Sequence, residues 1–193
     1  MAFMARAAIA YASHDILANR LGDLGPLQLY TAVGDYRRPD DWISLECATR
    51  MSLVGIGVYI KHSYWTGADG DGPMAAAPGP ETRPIGRVVS SATIDGIVYA
   101  RIELGRIGVS DDLVKAVFIQ LASGKLREAD LAFTRCLLHS EAELQRARSG
   151  VPCAGPFESG NSKSGVFYVT VYEVSLCANT SVPGSAILAF KTS

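Results

Sequence analysis

The sequence predicts a mainly β protein, an antiparallel β-sandwich with an N-terminal helix and one accessory helix. Runs that alternate every two residues outnumber runs with helical periodicity, and the strands do not alternate regularly with helices as they do in a parallel α/β sheet. At 193 residues, 48% of them hydrophobic, the chain suits one domain whose core is large enough to fold without disulfides or metal. We therefore expect a helix over 1–24 and a single sandwich over 27–193.

The N-terminal segment predicts an amphipathic docking helix. Its apolar residues recur at three- and four-residue steps and so share one helical face, before "GDLGP" ends the helix. These residues are Ile9, Ala12, Ile16, Leu17 and Leu21. The following segment "LQLYTAVGDY" alternates and predicts a first strand, which the turn "RRPDD" ends because Pro39 disfavours helix at Arg38.

Residues 40–59, "DDWISLECATRMSLVGIGVY", predict a hairpin. Apolar positions alternate over 43–47, "ATR" reverses the chain, and a second apolar strand runs from 51 to 58. Gly55 and Gly57 lie at its end and are predicted to be structural, because a strand glycine lets an aromatic ring or backbone approach closely. A dinucleotide-binding loop is disfavoured, since it needs a third glycine and a helix after it.

The second half of the chain predicts more strands and one helix. Residues 66–86 are rich in Gly, Pro and Ala and predict a loop insertion. Asp95-Gly96, predicted as a structural type I′ turn, joins two β-branched runs. "LVKAVFIQLASG" suits either a strand or a helix, whereas 126–148 has helical periodicity. The alternating runs "SGVFYVTVYEVSLCA" and "SAILAF" close the chain as strands.

Charge and cysteine usage limit the function classes. The formal net charge is -1, which favours neither a nucleic-acid nor an anionic-membrane partner. Four scattered cysteines without a C-x-x-C pair indicate a reducing compartment, and we expect cytoplasm, with a mitochondrial presequence left open by the helical N-terminus. The cysteines and histidines lack the spacing of a metal site or a nucleophile with its base. We expect no enzyme activity, no cofactor and no metal.

The hairpin segment "DWISLECATRMSLVGIGVY", 41–59, resembles the PHR domain, the module of Pam and Highwire ubiquitin ligases and of BTB-domain adaptors. The matching residues are Asp41, Ile43, Leu45, Cys47, Met51, Leu53, Gly55, Gly57, Val58 and Tyr59. Residues 95–124 resemble that family's turn and two following strands, and 179–190 are similar to its closing segment. The resemblance covers about half of the chain and implies a twisted antiparallel β-sandwich that acts as a recognition module.

Aromatic and arginine side chains at two strand ends are the candidate partner-binding residues. The sequence "KHSYWTG" places His62, Tyr64 and Trp65 between a strand and a mobile loop, where scaffolds present anchors. The alternative is that Trp65 caps the core. The other candidates are Arg37, Arg38 and Trp42. The two arginines suit a solvated turn equally well.

The PHR resemblance, together with these residues, predicts a non-enzymatic, PHR-like protein-interaction module that docks onto a protein partner or within a larger assembly, with self-association open. The alternative is a structural subunit with a jelly-roll-like fold, either of a viral capsid or of a cytoskeletal or ciliary assembly. An RNA capsid subunit is disfavoured, because such proteins commonly neutralise the genome with Lys/Arg tails that this chain lacks.

Overall fold

A computed structural model describes residues 9–37, 52–60, 84–105, 109–137, 167–180 and 184–193. The elements in these ranges are α1 (His14–Leu21), β1 (Gln28–Asp35), β2 (Gly57–Ile60), β3 (Gly86–Ile94), β4 (Ile97–Leu104), α2 (Asp111–Ala122), β5 (Glu128–Leu137), β6 (Phe167–Cys177) and β7 (Ala186–Lys191). Neither of these two helices is long and apolar enough to cross a membrane.

The described strands form one seven-stranded mixed sheet in the order β5-β6-β2-β3-β4-β1-β7. Neighbours pair antiparallel except β2 and β6, which are parallel. The two edge strands, β5 and β7, approach each other. The Ile187 amide of β7 donates to the carbonyl of Arg127, next to β5, at 2.8 Å, and the Ala129 amide of β5 donates to Oγ of Ser185, next to β7, at 2.7 Å. The sheet is therefore nearly closed into a barrel, and the predicted antiparallel sandwich, PHR-like or jelly-roll-like, is wrong.

The barrel interior holds the larger of two hydrophobic clusters. Buried side chains from all the described strands except β7 fill it, together with one face of α2. The sheet residues at its centre include Leu29, Val33, Val58, Val88, Ile102, Val174 and Leu176. Since these residues point inward, the side chains between them point to the outer face of the sheet, where α1 and the polar groups described below are found.

α2 is bounded by strong start and stop signals. Ser110 caps its N-terminus by accepting a hydrogen bond from the Leu113 amide at 3.3 Å, and two aspartates occupy the first turn. The helix buries Val114, Val117, Phe118 and Leu121. The helix ends at Ala122, and Gly124, two residues further on, adopts a left-handed conformation with φ of 70°. The two strands that the PHR resemblance implied for 95–124 are therefore one strand and one helix.

α1 covers the outer face of the sheet. Ser13 caps the helix, and Leu17 and Leu21 pack against Tyr30 and Tyr99 in the second hydrophobic cluster. The N-terminal helix predicted over 1–24 is thus present but shorter, at His14–Leu21, while residues 1–8 lie outside the described residues.

The helix predicted over 126–148 is wrong across its first half, because Glu128–Leu137 is a strand. Ala129 and Leu131 are buried, whereas Glu128 and Asp130 are partly exposed on the other face. This two-residue alternation lets β5 pair with β6 along its length, and that pairing overrides the helix propensity of Ala, Leu and Glu. Residues 138–148 lie outside the described residues.

The two predicted hairpins differ in outcome. Asp95 and Gly96 have φ of 49° and 79°, the positive values of a type I′ turn, and they join β3 to β4. In the other hairpin, Leu53 to Ile56 form a tight turn, since the Ile56 amide donates to the Leu53 carbonyl at 3.0 Å. The second strand therefore starts at Gly57 and not at 51, and the first strand, 43–47, lies outside the described residues. Of the loop predicted over 66–86, residues 66–83 lie outside the described residues, and Gly86 is the first residue of β3.

Candidate functional site

A row of charged residues crosses the outer face of the sheet. Gly57 lies opposite Glu173 on β6 and opposite Arg87 on β3, and Arg87 lies opposite Glu103 on β4. Arg87 Nη2 and Nε donate to the same Glu103 oxygen at 3.0 and 3.1 Å. This ion pair is solvent-exposed, so it contributes at most about 1 kcal/mol to stability. Glu173 is the charged residue of this row that lies outside the Arg87–Glu103 ion pair.

Glu173 and Ser175 are fully buried, although they lie on the outer face of β6. The Ser175 hydroxyl donates a hydrogen bond to Glu173 Oε1. Tyr59 on β2 and Asp130 on β5 lie opposite Ser175. A serine nucleophile needs access to substrate as well as a base, and this hydroxyl is removed from solvent. The arrangement therefore suits an internal polar contact.

The structure does not bring a described histidine to Ser175. His14 is on α1, where its ring packs edge-on against Tyr30 at a centroid distance of 5.6 Å. His62 and His139 lie outside the described residues. Within the same ranges, no group of three or more His, Cys, Asp or Glu side chains is placed to hold a metal ion.

Gly57 sits where a side chain has little room. A Cβ built on it would lie 3.0 Å from Tyr59 Cε2 and 3.2 Å from Pro84 Cβ. We expect Gly57→Ala to lower the free energy of unfolding by about 1 to 3 kcal/mol, measured by thermal melting. In a Tyr59→Leu background the cost should shrink, because the closest conflicting atom is gone. Unchanged melting of the single variant would show that the ring moves aside freely.

Among the predicted partner-binding residues, Arg37 is the one that the structure describes. Its Nε and Nη2 donate to the two carboxylate oxygens of buried Asp35 at 2.7 and 2.5 Å, and this contact raises the pKa of Arg37. The pair ties the guanidinium to the end of β1. Arg38, Trp42, His62, Tyr64 and Trp65 lie outside the described residues, so their role in binding stays a prediction.

α2 presents a surface that the sequence reading missed. Four exposed residues, at steps of three and four, share its outward side and are called the α2 face here: Asp112, Lys115, Ile119 and Ala122. Ile119 is 68% exposed, the largest value among the large hydrophobic side chains in the described residues. The face was missed because this segment suited a strand or a helix, and a strand would have placed these residues on both sides of a sheet.

Cys177 is buried beside two acidic residues at the end of β6. Burial, with Asp130 and Glu128 nearby, raises the pKa of the Cys177 thiol to about 12. Its thiolate is therefore scarce at neutral pH, and the thiolate is the reactive form.

We expect Cys177 to resist iodoacetamide at pH 8 in the native protein and to react in denaturant, as measured by peptide mass spectrometry. The unfolded thiol ionises at a lower pH than the folded one, so this group's contribution to stability holds below about pH 9 and falls as the pH rises toward 12. Rapid labelling of the native protein would contradict the burial of the thiol.

Comparison with known proteins gives a weak structural likeness. No protein-family model matches the chain, and no curated protein matches it. Among solved structures, the chain is similar to KSHV protease, crystallised with a hexapeptide phosphonate inhibitor, at 12% sequence identity and a TM-score of 0.43. The match covers 83% of this chain but 64% of the protease chain, so this chain spans less than two-thirds of its length. At this identity and TM-score the likeness assigns neither a family nor an activity.

Proposed function

We propose that this chain is a non-enzymatic protein-interaction module that docks onto a partner or within a larger assembly. The observation that carries the proposal is the α2 face, with an isoleucine 68% exposed at the middle of a well-formed helix. A single exposed apolar side chain is common on protein surfaces. What favours binding here is the position of Ile119 on a rigid helix, where the small side chain of Ala122 and the charged side chains of Asp112 and Lys115 share its face.

The rigidity of α2 comes from contacts at both ends and beneath it. Ser110 caps the first turn, and the Schellman bonds at Gly124 close the last one. Below the helix, the Phe118 ring lies 6.0 Å from the Phe190 ring of β7. A surface that is already ordered loses less conformational entropy on binding, so Ile119 is well suited to act as an anchor.

The rival functions have less support. The PHR resemblance implies a recognition module with a β-sandwich fold. The recognition role is kept in the proposal, whereas the β-sandwich is not the fold observed. The capsid and the cytoskeletal or ciliary alternatives were predicted to have a jelly-roll-like fold, which is not the fold observed. Among the described residues, the Ser175 hydroxyl and the Cys177 thiol are both buried, so neither is placed to act as a nucleophile on a substrate.

The proposal is tested by quantitative affinity purification with matched baits. Ile119→Glu should lower the recovery of genuine partners by about tenfold or more, because a charge replaces the anchor. Ile16→Glu on α1 is the control, since Ile16 is also an exposed helical isoleucine, at 46%. Equal recovery of partners with the wild-type, Ile119→Glu and Ile16→Glu baits would overturn the α2 face as the docking surface.

A further inference from the structure

We propose that the α2 face binds a second copy of this chain, through antiparallel packing of two α2 helices about a two-fold axis near Ile119. The inference rests on the proposed function and names its partner. It uses the charges at the two ends of the helix, the side chains between them and the capping bonds that fix their positions.

The charges at the two ends of α2 are of opposite sign, so they are complementary when a second copy of the helix packs antiparallel. Asp111 and Asp112 begin the helix, and Lys125 follows its end. Antiparallel packing places the acidic end of each helix against Lys125 of the other copy, which forms the contact twice by symmetry. Parallel packing would place like charges together, and the helix dipoles also favour the antiparallel arrangement.

The backbone of Lys125 is hydrogen-bonded back to the last turn of α2, although Lys125 lies beyond the end of the helix. Its amide donates to the Gln120 carbonyl at 2.9 Å, and the Gly124 amide donates to the Leu121 carbonyl at 3.0 Å. These are the two bonds of a Schellman motif, which folds the chain back over the helix end. The lysine is therefore presented at a fixed place with its side chain exposed to solvent.

Asp112 is available for such a contact. Its side chain is 97% exposed, and the ion pair that the structure gives it is with Lys115 at 3.9 Å, one turn away on the same helix. A pair this exposed is worth a few tenths of a kcal/mol. Exchanging it for Lys125 of the second copy therefore costs little.

The side chains between the two ends suit close packing. Ile119 lies half-way between Asp112 and Lys125, so the two-fold axis brings the Ile119 side chains of both copies together. Ala122 adds little bulk on the same face, which lets the two helices approach. A helix of this length spans about 18 Å, so the contact is smaller than a standard interface of about 800 Å² per partner. We expect a dimer that forms and dissociates with concentration.

Sedimentation equilibrium from about 5 to 500 µM tests the proposal. The wild-type mass should rise from 20.5 kDa toward twice that value. Ile119→Glu should remain monomeric, whereas Ile16→Glu should behave as wild type. Asp112→Lys and Lys125→Asp should each weaken the dimer about fivefold or more, because each places like charges opposite each other twice.

Mixing the last two variants gives the sharpest result. In an antiparallel mixed dimer, the Asp112→Lys chain carries a positive charge at both contact positions and the Lys125→Asp chain carries a negative charge at both. Both contacts therefore become attractive again. We expect the mixture to associate more tightly than either variant alone, with thermal melting confirming that both are folded. A mixture no tighter than its components overturns the antiparallel geometry.

The outcomes also separate this inference from the proposed function. A wild-type protein that stays monomeric throughout overturns the dimer. If Ile119→Glu nevertheless loses its partners in the affinity purification, the docking surface stands and serves a different protein. If recovery is unchanged as well, both proposals fail.

Discussion

Gly86→Ala is expected to destabilise the protein by about 3 kcal/mol or more, which corresponds to a fall in melting temperature of about 6 to 12 °C. A Cβ at this position would lie 2.2 Å from the Glu103 carbonyl oxygen and 3.0 Å from Leu104 Cα. Both are backbone atoms, so no side-chain rotation relieves the conflict. β3 would have to move away from β4 at the point where both are buried.

Gly25→Ala is the matched control. Its Cβ would lie 3.4 Å from Gln28 Cδ, the end of a flexible side chain, and we expect a change within about 0.5 kcal/mol. Thermal and chemical denaturation of both variants decides the matter. If Gly86→Ala melts like Gly25→Ala, then β3 and β4 are farther apart than the structure places them.

The sequence predicted the local elements better than their arrangement. β1 and the Asp95-Gly96 hairpin follow from alternation and turn chemistry, both of which are local. The parallel pairing of β2 with β6 joins segments more than 100 residues apart, and nothing in either segment encodes its partner. The sandwich is predicted from strands that do not alternate regularly with helices and from the PHR resemblance, and neither of these specifies which strands pair in the sheet.

α2 carries local signals in its sequence that distinguish a helix from a strand. Ser110 with two following aspartates is an N-terminal helix signal, and Gly124 followed by Lys125 is a C-terminal one. Together with apolar residues at 114, 117, 118 and 121, these signals decide the choice between strand and helix. β5 is the opposite case. Apolar residues at helical spacing over 126–148 predict a helix, whereas the alternation of polar and apolar residues at 128–131 indicates the strand that is observed.

The buried pair on β6 could not have been found from the sequence. In "YEVSLC", Glu173 and Ser175 look like the solvated side of a strand with one buried face. In the structure both are fully buried. Burial of an outer sheet face depends on which other parts of the chain cover it, and that is not a local property.

The second large loss of stability is expected when Ser175 or Glu173 is substituted. Ser175→Ala removes the hydroxyl that donates to Glu173 Oε1, and losing a buried hydrogen bond of this kind costs about 1 to 3 kcal/mol. Glu173→Ala should cost more, about 3 kcal/mol, because it also leaves a cavity beside Ser175. Glu173→Gln keeps an acceptor oxygen at Oε1 and should lose less. Denaturant titration measures all three.

The stability of Ser175→Ala and the reactivity of Ser175 in the native protein separate a structural pair from a catalytic one. A structural pair predicts that Ser175→Ala is less stable than wild type, and that a fluorophosphonate probe for reactive serines leaves native Ser175 unlabelled. A nucleophile predicts the reverse, since removing a catalytic group commonly leaves stability unchanged or raises it. Covalent labelling at Ser175 that is lost in Glu173→Ala, together with wild-type melting of Ser175→Ala, would identify the pair as catalytic. That outcome would overturn the non-enzymatic function proposed for the chain while leaving the α2 dimer to be judged by sedimentation alone.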